Sequence, residues 1–344
     1  MALSEKQLIQ IKDHLDNCKN PLFFFDDDQD GLCSFLQFYR YKKEGKGSIV
    51  KTTPKVDSFF LKKVEEYNPD KIFILDMAIV EQDFLDEVKV PVVWIDHHGP
   101  FERHKVHYFN PRVSNQKDNH PTSYLCYQVL KQDKWIAALG CVADWFLPPF
   151  IEEFKKEYPD LVDYDFKSPG DIIYNTKLGD LIRIFSFVLK GRTTDVMKSI
   201  KTLTRIESPY EILNNETSQG KFINKRFNEI NKMFLPLQKE VLSVLKKSDE
   251  KLAVYIYRDD STSFTSDLGN EAIYRNPEKI ILIGRERSGQ MKCSLRSTEV
   301  ILPPLVEKAL IGLSGYGGGH EHACGLNVAK EDFDEFVKRL REMI

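Results

Sequence analysis

Residues 91–98 of this chain read Pro-Val-Val-Trp-Ile-Asp-His-His. The short apolar run predicts a buried β-strand, and Asp96, His97 and His98 follow it directly. Because polar groups that are buried without partners destabilise a fold, three adjacent side chains of this kind indicate a common task. Carboxylates and imidazoles both bind metal ions. The stretch therefore predicts a strand that ends in a metal site.

The first half of the chain repeats this arrangement of an apolar run followed by a helix. Strand-like runs at 21–25, 48–50 and 71–75 alternate with helical patterns at 31–43, 58–67 and 83–88. Such an alternation predicts an α/β fold with a largely parallel sheet that is covered on both faces. Ligands of these sheets lie outside the carboxyl ends of the strands. Asp26 and Asp76 each follow one of the runs, so we expect them to lie near Asp96.

The length of 344 residues exceeds the size at which one hydrophobic core usually stops growing, so two domains are predicted. We place the first domain at 1–204, a helical connector at 205–248 and a smaller α/β domain at 249–344. Helical patterns cover 122–147 and 148–204, and a long periodic helix covers 224–247. The second domain is predicted to contain strands at 251–257, 279–283 and 291–295 and a closing helix at 332–343.

Composition and charge set broad limits on function. The net charge of −3 gives no overall basic surface for nucleic acid, although a site rich in Asp lowers this count and bound cations would reverse its local sign. The six cysteines include no C-x-x-C pair, which is typical of reduced thiols in a cytoplasmic protein. No signal-peptide pattern opens the chain, and no apolar run approaches the roughly 20 residues that cross a bilayer. We therefore expect a cytoplasmic protein without a membrane partner.

An acidic segment follows the first predicted strand. In extended backbone, Asp26, Asp28 and Asp30 point to one side, while Asp27 and Gln29 point away. Three converging carboxylates repel one another unless cations lie between them, and their hard oxygen atoms suit Mn²⁺ or Mg²⁺. The alternative is a solvated acidic turn that caps the next helix.

Two further carboxylates extend the pattern. Asp76 follows an apolar strand and could instead cap a helix. Asp144 lies in a stretch of small apolar residues, where the alternative is a buried salt bridge. Their joint occurrence with Asp96-His97-His98 favours a site for two divalent ions. Such a pair activates water and stabilises the attacking and leaving oxygen atoms during displacement at phosphorus.

These motifs resemble those of a known superfamily. Asp26-x-Asp28-x-Asp30-Gly31, the strand-end Asp76, Asp96-His97-His98 and Ala143-Asp144 are similar to the four sequential motifs of the DHH phosphoesterases. Residues 292–297 and 317–325 resemble the C-terminal substrate-binding domain, of the DHHA1 type, in the RecJ-like and nano-RNA phosphatase branch. Many relatives have a His in the first motif. The Asp-rich form of this chain is closer to the bacterial RecJ version.

The resemblance implies a dinuclear Mn²⁺ centre, with Mg²⁺ as the alternative cation. Asp26 and Asp28 would bind one ion, and Asp30, His97 and Asp144 the other, with Asp76 between them. Asp96 would orient the imidazoles. His98 would contact the scissile phosphate or protonate the leaving group.

A glycine-rich segment near the C-terminus is a candidate substrate site. Gly318 and Gly319 precede His320, and backbone N–H groups in such a segment can hold phosphate oxygens. Arg296 could add a bidentate phosphate contact. The alternatives are a flexible loop for the glycines and a surface ion pair for Arg296. We expect surface or hydrogen-bonding roles for the remaining histidines His104, His107 and His120, and a structural role for His322.

Two functions are consistent with these observations. The first is exonucleolytic hydrolysis of single-stranded DNA or RNA, as in archaeal and bacterial RecJ-like exonucleases, with replication or repair proteins as candidate partners. The second is hydrolysis of short oligonucleotides, cyclic dinucleotides or 3′-phosphoadenosine phosphate. Polarity, preference for DNA or RNA and oligomeric state cannot be read from the sequence.

Overall fold

The computed structural model describes residues 2–51, 55–258 and 262–344. The chain divides into two compact units, Met1–Phe227 and Asn228–Ile344. The division lies inside the segment 205–248 that was predicted as a connector, within a 30-residue helix. None of the described helices is long and apolar enough to cross a membrane.

The first unit is built on a parallel sheet. Its strands are β1 (Pro21–Asp26), β2 (Lys46–Val50), β3 (Lys55–Val56), β4 (Lys71–Leu75), β5 (Ile79–Val80), β6 (Val92–Ile95) and β7 (His107–Phe109). Five of them pair in the order β2-β1-β4-β6-β7, with every pairing parallel, and β3 pairs with β5. The predicted α/β class is confirmed.

Helices cover both faces of this sheet. The helices of the first unit are α1 (Glu5–Asp16), α2 (Gln29–Lys42), α3 (Leu61–Tyr67), α4 (Gln82–Glu87), α5 (Thr122–Leu130), α6 (Lys134–Ala143), α7 (Ile151–Glu157), α8 (Pro169–Asn175), α9 (Lys177–Val188), α10 (Thr193–Leu203) and α11 (Pro209–Leu213). For example, α2 lies on one face and α4 on the other. The helix α12 (Ser218–Lys247) begins in the first unit and ends in the second. The predicted helix at 122–147 is in fact two helices, α5 and α6. Between them Lys131 and Asp133 adopt positive φ angles of 54° and 53°, which end one helix and redirect the chain.

The central strands β1, β4 and β6 are buried on both faces, as their continuous apolar sequences predict. Phe23 and Phe25 of β1 face one core, together with Phe73 and Ile95. Phe24 faces the other core, together with neighbours such as Ile74 and Trp94. Because side chains alternate along a strand, the two cores fix the register of the sheet. They thereby fix which residues stand at its carboxyl edge.

The second unit is a mixed sheet with helices. Its elements are β8 (Leu252–Arg258), α13 (Thr265–Arg275), β9 (Ile280–Arg287), β10 (Gln290–Arg296), α14 (Pro303–Leu310), β11 (Gly315–His320), β12 (Ala323–Ala329) and α15 (Phe333–Met343). The strands pair in the order β11-β12-β10-β9-β8; only β8 and β9 run parallel.

The glycine-rich segment forms β11, an edge strand. The alternative of a flexible loop is therefore wrong, because pairing with β12 holds the segment extended. Gly319 has φ of 149°, and a Cβ atom there would lie 2.3 Å from the Ala323 carbonyl oxygen, so this position requires glycine.

Candidate metal centre

The carboxyl edge of the parallel sheet places three acidic positions side by side. Asp26 ends β1, Asp76 follows β4 and Asp96 follows β6. These strands are neighbours in register, with Phe25 paired to Leu75 and Leu75 to Ile95. This edge therefore gathers carboxylates that are separated in sequence.

Three overlapping groups of side chains could hold metal ions. They are Asp26, Asp28 and Asp76; Asp30, His97 and Asp144; and Asp76, His97 and His98, each with its ligand atoms within 4.8 Å of one another. The structure thus brings together every residue that was predicted as a metal ligand, and it adds His98. Asp76 and His97 each belong to two groups, so the groups form one continuous centre.

His97 lies in the middle of this centre. Its Nε2 atom is 3.4 Å from Asp76 Oδ1, 3.8 Å from Asp144 Oδ2 and 4.0 Å from Asp30 Oδ2. In the part of the chain that the structure describes, no Lys or Arg forms a salt bridge with Asp144. Among the described residues Asp144 therefore has no salt bridge to Lys or Arg, and its ion-pair partner is the imidazole of His97.

The helix-cap alternatives have different outcomes. Asp28 does cap α2, since its Oδ1 accepts a hydrogen bond from the Gly31 N–H at 2.9 Å. Asp76 caps no helix, because α4 begins after Glu81. Asp76 instead has φ of 62°, a left-handed conformation that Asp and Asn tolerate better than most residues. Gly31 packs against the strand end: a Cβ there would lie 2.8 Å from the backbone of Asp26.

Asp30 is held by the start of α5. Its two carboxylate oxygens accept the N–H groups of Thr122 at 2.7 Å and Ser123 at 2.8 Å, an arrangement that the positive end of a helix favours. The Thr122 hydroxyl also donates to Asp76 Oδ1 at 3.0 Å. The sequence interpretation missed Thr122 and Ser123, although a Thr-Ser pair that opens a helix is a signal for such contacts.

Electrostatics of the centre fit a divalent cation. Burial and the neighbouring carboxylates raise the pKa of Asp76 and that of Asp144 well above the usual range. The same causes raise the pKa of Asp26, and that of Asp30 to about 6. Carboxylates crowded in this way lack sufficient positive charge around them. Carboxylate oxygens with a single central imidazole match the ligands that Mn²⁺ and Mg²⁺ accept.

Asp96 orients one imidazole rather than two. It is fully buried, accepts the His98 N–H at 3.1 Å and lies 2.8 Å from His98 Nδ1. Burial alone would lower the pKa of His98, but the hydrogen bond and charge of Asp96 outweigh it and raise that pKa to about 9. Asn110 donates to Asp96 Oδ2 at 3.1 Å and to the His98 carbonyl at 2.9 Å. Asn110 was also missed from sequence.

The predicted substrate residues of the second unit lie on adjoining strands. Arg296 of β10 and His320 of β11 both pair with Ala323 of the intervening strand β12. Arg296 Nε donates to Asn270 Oδ1 at 2.6 Å, and its Nη1 donates to the Cys324 carbonyl at 3.2 Å. Gly318 and Gly319 are exposed on the edge strand β11. Among the described residues, the outer edge of β11 has no neighbouring strand.

Comparison with known proteins identifies the class. Residues 22–146 match the DHH family, N-terminal domain, and residues 241–344 match the DHHA1 domain. The fold and the centre are those of a phosphoester-hydrolysing enzyme. The chain belongs to the DHH phosphoesterase superfamily and has the architecture of its RecJ-like members. No curated protein sequence matches the chain.

Solved structures share the fold at low sequence identity. RecJ of Thermus thermophilus in complex with Mn²⁺ has a TM-score of 0.67 and 16% identity, covering 100% of this chain and 55% of that one. An exonuclease RecJ bound to manganese has a TM-score of 0.65 and 16% identity, with 100% and 95% coverage. The DHH domain of a protein assigned to a family of ribosomal proteins has a TM-score of 0.64 and 14% identity, with 98% and 89% coverage. This chain therefore spans about half the length of the Thermus protein.

Proposed function

We propose that this chain is a phosphodiesterase that removes nucleotides from one end of single-stranded DNA or RNA. The observation that carries the proposal is the continuous centre at the carboxyl edge of the parallel sheet, in which Asp76 and His97 are shared between groups. RecJ structures with the same fold contain Mn²⁺ or Mg²⁺, which supports divalent cations as cofactors here.

The residues of the centre divide into binding and positioning roles. Asp26 and Asp28 would hold one cation, and Asp30, His97 and Asp144 a second, with Asp76 contacting both. When bound, two such cations supply an activated water and stabilise negative charge on the phosphate. Thr122 and Ser123 fix the carboxylates of Asp76 and Asp30 through the hydrogen bonds described above, as outer contacts of metal ligands commonly do.

His98 is the proposed proton donor to the leaving oxygen. Its Nδ1 side is turned to Asp96 by a 2.8 Å contact, so Nε2 is the nitrogen that can face a substrate. The Asp96 carboxylate thereby orients the ring and stabilises its protonated form. In the second unit, Arg296 and the N–H groups beside His320 would contact phosphates of the substrate.

We also propose a cytoplasmic location, because all six cysteines are buried and unpaired in the structure. Extracellular and periplasmic proteins more often use cysteines in disulfides. Expression with a compartment marker would test this proposal.

The function is tested with end-labelled single strands of DNA and RNA, from dinucleotides to long oligomers, in the presence of Mn²⁺. Shortening of long strands by successive loss of end nucleotides supports the proposal. Cleavage confined to dinucleotides or other small substrates would replace it with the small-substrate alternative. The His97→Ala variant, with its fold checked by circular dichroism, is the control for contaminating nucleases and should be inactive.

A further inference from the structure

We infer that Arg112 and His120, both fixed by Asp118, form a second phosphate-binding element beside the metal centre, which takes a phosphate of the strand other than the one that reacts. This inference rests on the proposed function, since it names how the same site grips its substrate. The sequence interpretation gave His120 only a surface or hydrogen-bonding role, and it did not single out Arg112.

The two side chains share one anchor. Asp118 is 8% exposed, and its backbone carbonyl accepts the Arg112 Nε–H at 2.8 Å. Its Oδ1 accepts the His120 N–H at 3.1 Å and lies 2.8 Å from His120 Nδ1. One buried residue therefore sets the direction of two groups that can bind anions.

The His120 pair repeats the geometry of the His98 pair. In each, an Asp accepts the backbone N–H of the His two positions later at 3.1 Å and lies 2.8 Å from its Nδ1. The arrangement turns Nε2 away from the Asp. The His120 ring is further held by Tyr124 and Phe146, whose ring centroids lie 5.0 Å and 4.9 Å from it. The hydrogen bond to Asp118 and the two ring contacts hold the His120 imidazole in one orientation, which favours a binding role over a merely exposed position.

The element adjoins the metal centre through short stretches of chain. His120 lies two residues before Thr122, which binds Asp30 and Asp76, and its ring contacts Phe146, two residues after Asp144. The backbone N–H of Arg112 donates to Asn110 Oδ1 at 2.8 Å, and the Asn110 side chain in turn donates to Asp96. The strand β7 that leads into this segment pairs with β6, so both segments leave the sheet at the same edge.

Arg112 also has unused hydrogen-bonding capacity. Among the residues that the structure describes, only Nε of this half-buried side chain has an acceptor. The charge of Arg112 acts on the centre, since it counters the burial and carboxylate repulsion that raise the pKa of Asp144. A guanidinium whose two amino groups have no acceptor within the described residues is suited to bind a phosphate.

Arg103 provides a matched control. It is likewise a half-buried arginine whose Nε donates to a backbone carbonyl, that of Val80 at 2.7 Å, but its guanidinium is paired with Glu81 at 3.8 Å. Arg112→Gln is expected to lower kcat/KM on single strands about 10- to 100-fold, mainly through KM, which is the range for hydrogen bonds to charged groups. Arg103→Gln should leave both constants unchanged. His120→Phe, which keeps the ring packing, should raise KM about 3- to 10-fold.

The decisive experiment removes charge from the substrate instead of the protein. A set of strands is prepared in which each strand carries one uncharged methylphosphonate, placed at a different linkage near the attacked end. A further strand lacks the terminal phosphate. One such change should raise KM for the wild type and for Arg103→Gln but have no further effect on Arg112→Gln, because the lost partner is already absent. Whether the sensitive position is an internal linkage or the terminal phosphate identifies which phosphate is bound.

The outcomes separate the inference from the proposed function. If the wild type hydrolyses strands but Arg112→Gln responds to every methylphosphonate as the wild type does, the inference is wrong and the exonuclease proposal stands. If the wild type hydrolyses no strand, the exonuclease proposal fails. Fluorescence anisotropy with a labelled strand then still tests the inference, which requires weaker binding by Arg112→Gln than by Arg103→Gln.

Discussion

The hydroxyl group of Thr122 donates a hydrogen bond to Oδ1 of Asp76 at 3.0 Å. The two residues are 46 positions apart in the sequence, and Asp76 is the carboxylate that two of the candidate metal groups share. A side chain outside all three metal groups thus fixes a carboxylate that two of the groups share.

Thr122→Val should weaken metal binding while preserving the fold. Valine keeps the shape and the backbone N–H that Asp30 accepts, and it replaces only the hydroxyl with a methyl group. We expect a loss of about 10-fold in Mn²⁺ affinity, as for other residues that support metal ligands, measured by isothermal titration. Thr202→Val is the control, because Thr202 bonds only the Lys198 carbonyl on an exposed helix face. Equal affinities for the two variants would contradict the role of Thr122.

Asp96→Asn should lower the reaction rate with little change in Mn²⁺ affinity, since Asp96 contacts His98 and lies outside the three candidate metal groups. We expect kcat to fall by about 10²- to 10⁴-fold, the range for a positioned acid or base. The kcat of His98→Gln should fall by a similar factor. The kcat of the double variant should be no lower than that of either single variant, because the two residues act as a unit. Additive losses in single-turnover kinetics would show that Asp96 and His98 act independently.

Metal removal should destabilise the first unit. A divalent cation that binds the folded centre and not the unfolded chain stabilises the fold, so Mn²⁺ at about 100 times its Kd should add about 2.7 kcal/mol to the free energy of unfolding. Asp76→Asn should have a smaller Mn²⁺ response but a higher Tm than the wild type in EDTA, because it relieves carboxylate repulsion and Asn tolerates the positive φ of 62°. Thermal unfolding with and without Mn²⁺ measures both effects. If Asp76→Asn has a lower Tm than the wild type in EDTA, repulsion between the carboxylates does not destabilise the metal-free protein.

His14 should make the protein less stable in mild acid. Burial, with His107 at a ring distance of 4.3 Å and the Lys71 charge nearby, lowers the pKa of His14 to about 4, against a weaker opposing effect of Asp13. The unfolded chain therefore binds a proton more readily than the folded one, and stability falls as pH drops from about 6.5 towards 4.

The measurement compares urea unfolding of the wild type and His14→Gln at pH 7 and pH 5. Because His14 is only partly buried, we expect the wild type to lose about 1 kcal/mol more than the variant over this interval. The other titratable groups contribute equally to the pH dependence of stability in both proteins, so their contributions cancel in the comparison. An equal loss in both proteins would exclude His14 as the source.

The strand-end ligands could be predicted from sequence for a simple physical reason. Asp26, Asp76 and Asp96 each follow a run of buried apolar residues, and parallel strands bring their carboxyl ends together. Asp144 ends a helix instead, so no strand pattern pointed to it; the signals for Asp144 were its surroundings of small apolar residues and the resemblance to a family motif. The position of a helix end relative to a sheet depends on packing that the local sequence does not reveal.

The supporting contacts have weak sequence signals, because they use backbone groups or single rotamers. Thr122 and Ser123 bind Asp30 through N–H groups that every residue type except proline carries. The strand β11 was missed since glycine has a low preference for strands, and only its pairing with β12 explains the conformation. The break between α5 and α6 was missed because Lys131 and Asp133, which turn the chain, are not typical helix-breaking residues.

The hydrogen bonds around the carboxylates also bear on the size of ion that the centre can accept. Both oxygens of Asp30 and one oxygen each of Asp28 and Asp76 already accept hydrogen bonds from the protein. Carboxylates restrained in this way cannot easily rotate to offer a second oxygen, as a large ion such as Ca²⁺ with six to eight ligands requires. Small ions with fewer, shorter bonds suit such rigid ligands, so the hydrogen bonds that hold the site together should also select against calcium.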